Sequence, residues 1–544
     1  MPPMRAPLSL TNVLRYTQLT SRYTRQHGQT FIRSCSCSAP ERSPTTANLL
    51  VERGELPDPP TPSTDHRTLA QSHNLFITSP YSPGSPLLLP NGAYIFQKLQ
   101  SFLRAQYPQF GFQEVITPTI YKKSLWETSG HWENYAEDMF SVQGRGATGQ
   151  TQKAEVGQDE EFGLKPMNCP GHCLLFKSDV KSYRDLPIRF ADFSALHRNE
   201  ISGALTGLTR VRRFHQDDAH IFCRPDQILE EIEQTLRFVG MVYDTFGLGP
   251  YKLLLSTRPT DHFIGTIEEW DRAEAQLATA LNNSGREWAI NSGDGAFYGP
   301  KIDIILKDSH GKEHQTATIQ LDFQLPQRFD LSYQASPEEL ESQSKPQMQN
   351  SSSGIDQGLD KGCKRPVIIH RAIYGSLERF MALLIEHYAG AYPFWVSPRP
   401  AIILSVNQDP AVLSHISYTQ ATLSGLPFQN PDPDSDSDSP SNWHPTPQSL
   451  NKIYVPIDID TSARPLGKKI QEARQKKYNH IVVIGPKDVE SKGMRIEIAA
   501  TPDVESAMRV LQDTVLGRGV KGKSVECSAH EGRMYFEELM KGYM

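Results

Sequence analysis

Three residues of ligand type stand far apart in the chain, each inside a dense run of functional side chains. They are Cys169 in Lys165-Pro166-Met167-Asn168-Cys169-Pro170-Gly171-His172, His220 in Gln216-Asp217-Asp218-Ala219-His220, and His370 in Val367-Ile368-Ile369-His370-Arg371-Ala372. One thiolate and two imidazoles suit a Zn²⁺ with three protein ligands, which leaves coordination open for water or a substrate. Residue type alone does not decide this, because scattered Cys and His are more often packed core residues. The neighbouring runs carry the decision.

Upstream of His220 the chain reads Phe190-Ala-Asp-Phe-Ser-Ala-Leu-His197-Arg198-Asn199-Glu200, then Gly203-Ala-Leu-Thr-Gly207-Leu-Thr-Arg210-Val-Arg212-Arg213-Phe214. After His370 it continues to Gly375-Ser-Leu-Glu378-Arg379-Phe380. These stretches resemble motifs 2 and 3 of the class II aminoacyl-tRNA synthetases. The runs around Cys169 and His220 narrow the resemblance to the threonyl-tRNA synthetases, over residues 72 to 500.

The resemblance implies a reaction and a set of roles. Activation of an amino acid is in-line attack of its carboxylate on the α-phosphate of ATP, and charge builds on phosphate oxygens, so arginines and Mg²⁺ carried with ATP are the natural stabilisers. Arg198 matches the motif 2 arginine at the α-phosphate and Arg379 the motif 3 arginine near the γ-phosphate. Phe214 matches the aromatic under adenine, and Glu200, Arg210, Gln315 and Thr318 match further ATP contacts. Asp218 is placed to accept from the threonine amine, with Met167, Gln216, Tyr298, Gln320, Ala372 and Ser376 as other threonine-contacting positions. Cys169, His220 and His370 would hold one Zn²⁺ that takes the amine and β-hydroxyl of threonine. Valine offers a methyl in place of the hydroxyl and is rejected strongly, whereas serine loses only a methyl contact. His131, in Ser129-Gly130-His131-Trp132, matches a histidine implicated in proton movement when the tRNA ribose attacks, a task suited to a group titrating near neutrality; a structural histidine beside Trp132 is the rival reading. Lys301, in Tyr298-Gly-Pro-Lys301, matches a contact to the tRNA end or the adenylate.

Elements must hold these residues in place. Ile95, Phe96, Leu99, Phe102 and Leu103 fall at helical spacing, and Gly111 to Pro118 reads as a strand stopped by proline, the helix–strand–proline order of motif 1, which builds the dimer interface in that family. Asp226 is expected to cap a helix carrying Ile228, Ile232, Val239 and Phe246. Strand-like runs at Ala289-Ile290, 301–306 and 316–323, broken at Gly293-Asp294-Gly295 and His310-Gly311, predict an antiparallel sheet. If Leu377 opens a helix, Leu377, Phe380, Met381, Leu384 and Tyr388 make one buried stripe and Arg379 points away from it. From Arg399 strands (401–406, 452–459, 480–484) alternate with helices, one through Gly467-Lys468-Lys469-Ile470, as in a separate α/β unit. It resembles the anticodon-binding domain of this synthetase subgroup, and Lys468, Lys469, Arg474, Lys476 and Lys477 form a basic patch there. The fold class expected is α+β: a catalytic domain over 72–397 with a disordered insertion at 335–365, then an anticodon-binding domain over 398–544 with an insertion at 429–449.

At 544 residues the chain exceeds one ordinary domain. A net charge of −6 carries no global nucleic-acid signature, so RNA contact needs local basic patches. No apolar run reaches the ~20 residues of a membrane helix, and seven cysteines, odd and sparse, suggest a reducing compartment. Residues 1–40 hold five arginines and no Asp or Glu, the pattern of a mitochondrial transit peptide leading to the matrix, with an untargeted disordered tail as the rival; 41–71 reads as a linker. With those segments ahead of the catalytic core, an editing domain in cis is not expected, and errors with serine would go uncorrected by this chain.

Two tempting motifs fail. Gly517 to Ser524 fits the P-loop pattern, but a helix precedes it and no helix follows. Asp432, Asp434, Asp436 and Asp438 alternate like a calcium loop without its glycine and terminal glutamate. The expected function is ATP-dependent attachment of L-threonine to mitochondrial tRNA(Thr) by a homodimer. An inactive paralogue acting as an RNA-binding or regulatory subunit is the competing class, and a prolyl or seryl enzyme the third; the intact arginines and the ligand trio argue against both.

Overall fold

The computed structural model describes residues 65–144, 161–308, 311–343, 359–428, 452–515 and 522–544. The expected transit peptide, most of the linker, and the 429–449 insertion with its aspartates lie outside the described residues.

The linker ends earlier than expected. Asp65 accepts the N–H of Arg67 and caps helix α1 (His66–His73), whose Ala70 and His73 are buried. Helix α2 (Pro90–Phe110) starts on a proline and ends at Gly111 in the left-handed region, burying Ile95, Phe96, Leu99, Phe102 and Leu103 as their spacing requires. The strand that follows is only Gln113–Glu114 (β1), although Val115 still donates to Ala191.

The largest sheet then forms from β1 with β2 (Ile188–Asp192), β5 (Asp218–Cys223), β6 (Lys252–Ser256), β7 (Trp288–Asn291), β8 (Lys301–Lys307), β9 (Glu313–Asp322) and β10 (Val367–Ala372); the short pair β3 (Ala195–His197) with β4 (Arg213–His215) lies outside it. Its order is β7-β6-β8-β9-β10-β5-β2-β1. The middle is antiparallel, as expected, but each edge closes with a parallel pair, β6 with β7 and β1 with β2.

The intervening helices are α3 (Cys169–Lys177), α4 (Ile228–Thr245), α5 (Ile267–Asn283) and α6 (Leu377–Tyr388). Asp226 does not cap α4: it lies in a 3₁₀ turn (Pro225–Gln227), and Gln227 takes the cap position while its side chain accepts the N–H of Arg224. Strand alternation sorts the sheet. Ala219, Ile221, Ile302, Ile304, Ile319, Leu321 and Ile369 face the hydrophobic core with α2, α4 and α6, leaving their alternate neighbours for the other face. On α6, Leu377, Phe380, Met381 and Leu384 are buried and Tyr388 packs at the core edge.

The 335–365 segment is not wholly irregular. Pro337–Gln343 is helical, and Cys363–Lys364 pairs with Tyr333–Gln334; residues 344–358 lie outside the described set. Acidic residues in the first turn of Pro337–Gln343 favour that helix despite its polar composition.

A second hydrophobic core belongs to the C-terminal unit. It is built from β11 (Ala401–Ser405), α7 (Pro410–Ser424), β12 (Ile457–Asp460), α8 (Leu466–Gln475), β13 (His480–Ile484), β14 (Met494–Ile498), α9 (Val504–Thr514), β15 (Ser524–Cys527) and α10 (Ala529–Lys541). In the order β12-β11-β13-β14-β15 the first two pairings are parallel and the last two antiparallel, so β14 alone runs against the other four. β15 directly after Gly522-Lys523 is a strand, which removes the P-loop reading. Among the described residues no helix is long and apolar enough to cross a membrane.

Candidate active site

The register of the central strands assembles the site. His220 on β5 pairs with His370 on β10, His370 with Gln320 on β9, and Gln320 with Lys301 on β8, so these four stand in one cross-strand row. The next row holds Ala372, Thr318 and Asp303. Residues opposite one another share a face with Cβ atoms about 5 Å apart. Cys169 comes from the first turn of α3, placed over this floor.

The result is a cavity of about 310 Å³. Of the site residues expected from sequence, all but His131 line it: Cys169, His220 and His370; Arg198, Glu200, Arg210, Phe214, Gln315, Thr318 and Arg379; Met167, Gln216, Asp218, Tyr298, Gln320, Ala372 and Ser376; and Lys301.

The ligand trio converges, with one ligand atom from each of Cys169, His220 and His370 lying within 4.8 Å of the others. The residues fit a zinc ion. Nε2 of His220 is buried with no hydrogen-bond partner, while its Nδ1 lies 2.7 Å from Nδ1 of His172. Nε2 of His370 is 2.8 Å from the buried Asp322 carboxylate, a carboxylate–histidine pair that leaves Nδ1 as the available ligand atom. Burial, with His370 and His172 beside it, pushes His220 well below its ordinary pKa and so keeps it neutral, as a ligand must be. Burial and nearby Asp218 push the Cys169 thiol well up; a divalent cation would reverse that and hold it as thiolate.

Around the trio, Oδ2 of Asp218 accepts the N–H of Asn168 at 3.1 Å, and the Tyr298 hydroxyl donates to Gln320 at 2.7 Å. Burial raises the Asp218 carboxyl and the Tyr298 hydroxyl alike. Farther along the cavity, the guanidinium of Arg198 sits 5.1 Å from the ring centroid of the buried Phe214. Arg210 pairs with Glu200 at 2.7 Å. Arg379, turned away from the apolar stripe of α6 as expected, donates to the carbonyls of Thr209 at 3.1 Å and Gln315 at 2.8 Å. Burial and the neighbouring Arg198 and Arg210 lower its pKa, a cost that binding an anion would relieve. Ser376 caps α6 by accepting the N–H of Arg379.

His131 lies outside the cavity lining. It is buried behind Cys169, its Nε2 4.0 Å from Sγ and its Nδ1 2.7 Å from the Ser129 hydroxyl, and burial pushes it down to about 4. Lys301 is held by Asp303 at 2.9 Å and Asp294 at 3.2 Å; burial works against its charge but the two carboxylates outweigh it and raise its pKa.

Sequence reading missed the supporting residues. Asp303 bonds Lys301, Thr318, Gln315 and Ser256 at once and so organises one wall. Its sign in the sequence was its place two residues from Lys301 in an otherwise apolar strand. Asp322 and His172 stand behind His370 and His220, and His172 shares the Cys169 run in the sequence. In the C-terminal unit the basic patch is smaller than its composition suggests. Lys469 is buried on Ser405, Arg474 pairs with Glu497 and Lys476 with Glu472, so Lys468 and Lys477 are its exposed cations without an ion pair among the described residues.

Comparison with known proteins places this architecture. Residues 153–359 match the model for the tRNA synthetase class II core domain (G, H, P, S and T), and residues 448–510 that for the anticodon binding domain. The protein is thus a class II aminoacyl-tRNA synthetase. A probable mitochondrial threonine–tRNA ligase of Schizosaccharomyces pombe is 48% identical over 446 residues, covering 81% of this chain and 86% of the relative. The mitochondrial threonine–tRNA ligase of Saccharomyces cerevisiae is 45% identical over 441 residues, covering 79% and 85%. A crystal structure of the RNA binding domain of threonyl-tRNA synthetase from Cryptosporidium parvum aligns with a TM-score of 0.69 at 39% identity, covering 87% of this chain and 98% of that one. The chain belongs to the threonine–tRNA ligases.

Proposed function

We propose that this ligase works in mitochondria, charging mitochondrial tRNA(Thr) through threonyl-adenylate and choosing threonine by a Zn²⁺ on Cys169, His220 and His370. The observation that carries the reading is the single cavity in which the trio and the two arginines Arg198 and Arg379 meet. The ion would supply a Lewis-acid site for an amine and a hydroxyl together, which valine lacks. The chain's own residues do the rest. Asp218 accepts from the threonine amine, Tyr298 and Gln320 close that end, and Phe214 supports the adenine. Arg198 and Arg379 stabilise the charge that develops on phosphate as the carboxylate attacks the α-phosphorus and pyrophosphate leaves, with Mg²⁺ accompanying ATP. Lys301, fixed as a cation by Asp303, faces the same space. Support for the location comes from the mitochondrial relatives, and a homodimer formed through the α2–β1 region belongs to the same reading. We further propose that no seryl-tRNA hydrolysing pocket lies among the described residues, so that misacylated serine persists.

The test is threonine-dependent pyrophosphate exchange with metal analysis. About one zinc per chain is expected, lost in Cys169→Ala, and exchange should fall by at least ~10²-fold in Arg198→Ala and Arg379→Ala without loss of fold. Valine should support little exchange and serine an intermediate level. Full zinc retention in a Cys169→Ala, His220→Ala, His370→Ala triple variant, or near-normal exchange in either arginine variant, would refute the respective role. Preformed seryl-tRNA should survive incubation with the enzyme; rapid deacylation would reveal an editing site.

A further inference from the structure

Helix α1 touches, through one side chain, the loop whose Thr209 and Arg210 line the cavity. His66 is 3% exposed and uses both ring nitrogens. The backbone N–H of Leu208 donates to its Nε2 at 3.2 Å. That nitrogen must therefore be the acceptor, which leaves the proton on Nδ1, where it is donated to Glu386 on α6 at 2.7 Å. Glu386 also accepts the backbone N–H of His66 at 3.2 Å. The cluster Asp65, His66 and Glu386 has the spacing of a metal site, but both imidazole nitrogens are engaged and Asp65 is paired with Arg67 at 2.6 Å, so no ligand set is available.

The contact is tight on the loop side as well. Gly207 has φ +47°, and a Cβ there would lie 2.1 Å from Nε2 of His66. Leu208 is fully buried and the next carbonyl, of Thr209, accepts Nε–H of Arg379. Arg379 lies seven residues, two turns, before Glu386 on the same helix. The relay Glu386–His66–Leu208 and the bond Arg379–Thr209 thus tie α6 to the loop of residues 206–210 at two points, the first by way of α1, and the second engages the guanidinium that faces the cavity.

We infer that His66 is a positioning residue for ATP: its acceptor nitrogen holds the Gly207–Thr209 backbone against α6, so that Arg379 and Arg210 present themselves to the nucleotide. The inference rests on the reading of this cavity as the ATP site. It gives α1 a function in activation that its place ahead of the catalytic core does not suggest.

The two nitrogens can be separated by substitution in the full chain. The amide oxygen of Gln reaches the Nε2 position and can accept from Leu208, whereas the Asn amide reaches only the Nδ1 position and can serve Glu386 alone. Pyrophosphate exchange at varied ATP and threonine, with Tm for each protein, reads the difference. His66→Asn and His66→Ala should raise the KM for ATP about five- to tenfold, the effect of one lost buried hydrogen bond, with the KM for threonine within about twofold. His66→Gln should restore the KM for ATP whatever happens to Tm. Equal ATP KM in the Gln and Asn variants, whether both raised or both normal, or rescue by Asn alone, overturns the inference and leaves His66 a structural clasp. If the Ala variant does not fold, the Gln–Asn comparison still decides. Absence of exchange in the unsubstituted protein would instead strike the functional reading, and this inference with it.

Discussion

A histidine ligand has a second nitrogen, and what that nitrogen meets decides which tautomer faces the metal. If Nε2 of His220 takes the proposed Zn²⁺, its Nδ1 carries the proton and donates to Nδ1 of His172 at 2.7 Å. That leaves the proton of His172 on Nε2, which has no hydrogen-bond partner among the described residues and lies 3.9 Å from Oδ2 of Asp192, the oxygen that Lys165 approaches at 3.8 Å and the Thr117 hydroxyl bonds at 2.7 Å. On that reading the His220 imidazole is oriented by His172, a buried residue that does not line the cavity. His172→Leu should therefore weaken zinc binding by about 10–100-fold, while His172→Asn, whose carbonyl oxygen can take the place of Nδ1, should retain most of it. Competition with a chromophoric chelator measures this without any appeal to activity. Equal zinc affinity in the Leu variant and the unsubstituted protein would show that His172 merely fills space.

At the scale of elements, the corner where β10 runs into α6 decides how the motif arginine is presented. Gly375 turns it with φ +65°, and a Cβ there would meet the Thr316 carbonyl at 1.9 Å. Asp217 braces it from the neighbouring loop by accepting the N–H groups of Ile373 at 2.7 Å and Tyr374 at 2.8 Å and pairing with Arg371 at 2.6 Å. Arg371 is itself buried among the rings of Tyr107, Phe112 and Phe238. Removing the carboxylate would strand a buried cation and two amides, so Asp217→Ala should cost about 3–5 kcal/mol, read by denaturant unfolding. A loss below about 1 kcal/mol would mean that the aromatic rings alone support the guanidinium. Much of this corner was legible in advance: the apolar stripe of α6 and the outward Arg379 follow from helical spacing. Asp217 and Asp218 illustrate the limit. Adjacent in sequence, they face opposite sides of β5's entry, one to a structural arginine and one to the cavity, and only the second was assigned. Partners so distant in the chain, such as His66 and Glu386, 320 residues apart, leave no local signal, which is why α1 passed for linker.

The whole molecule joins two cores through its last residues. Trp395 donates its backbone N–H to the carbonyl of Met544 at 3.1 Å, Tyr543 packs its ring on Phe102 at 5.0 Å and Trp395 at 5.2 Å, and Met540 touches both cores. Arg399 adds a second tie, donating to the carbonyls of His73 on α1 and Lys476 at the end of α8. Deleting the C-terminal unit would strip these contacts from the catalytic core, so a fall in charging after truncation would not isolate tRNA recognition. Point changes do. The ladder Asp460–Arg464–Glu472–Lys476, running from the end of β12 to the end of α8, is internally neutralised, and on α8 and at its C-terminal end the cations left exposed and without an ion pair among the described residues are Lys468 and Lys477. If this face meets the anticodon arm, Lys468→Glu with Lys477→Glu should raise the KM for tRNA about tenfold and reduce the salt dependence of tRNA binding by about one logarithmic unit per lysine, while pyrophosphate exchange stays unchanged. Arg464→Gln, which disturbs only the neutralised ladder, should change tRNA binding far less. Normal tRNA affinity in the double variant would move the RNA contact to another face of the C-terminal unit, because an exposed lysine left without a counter-ion costs little to reverse unless phosphate is its partner.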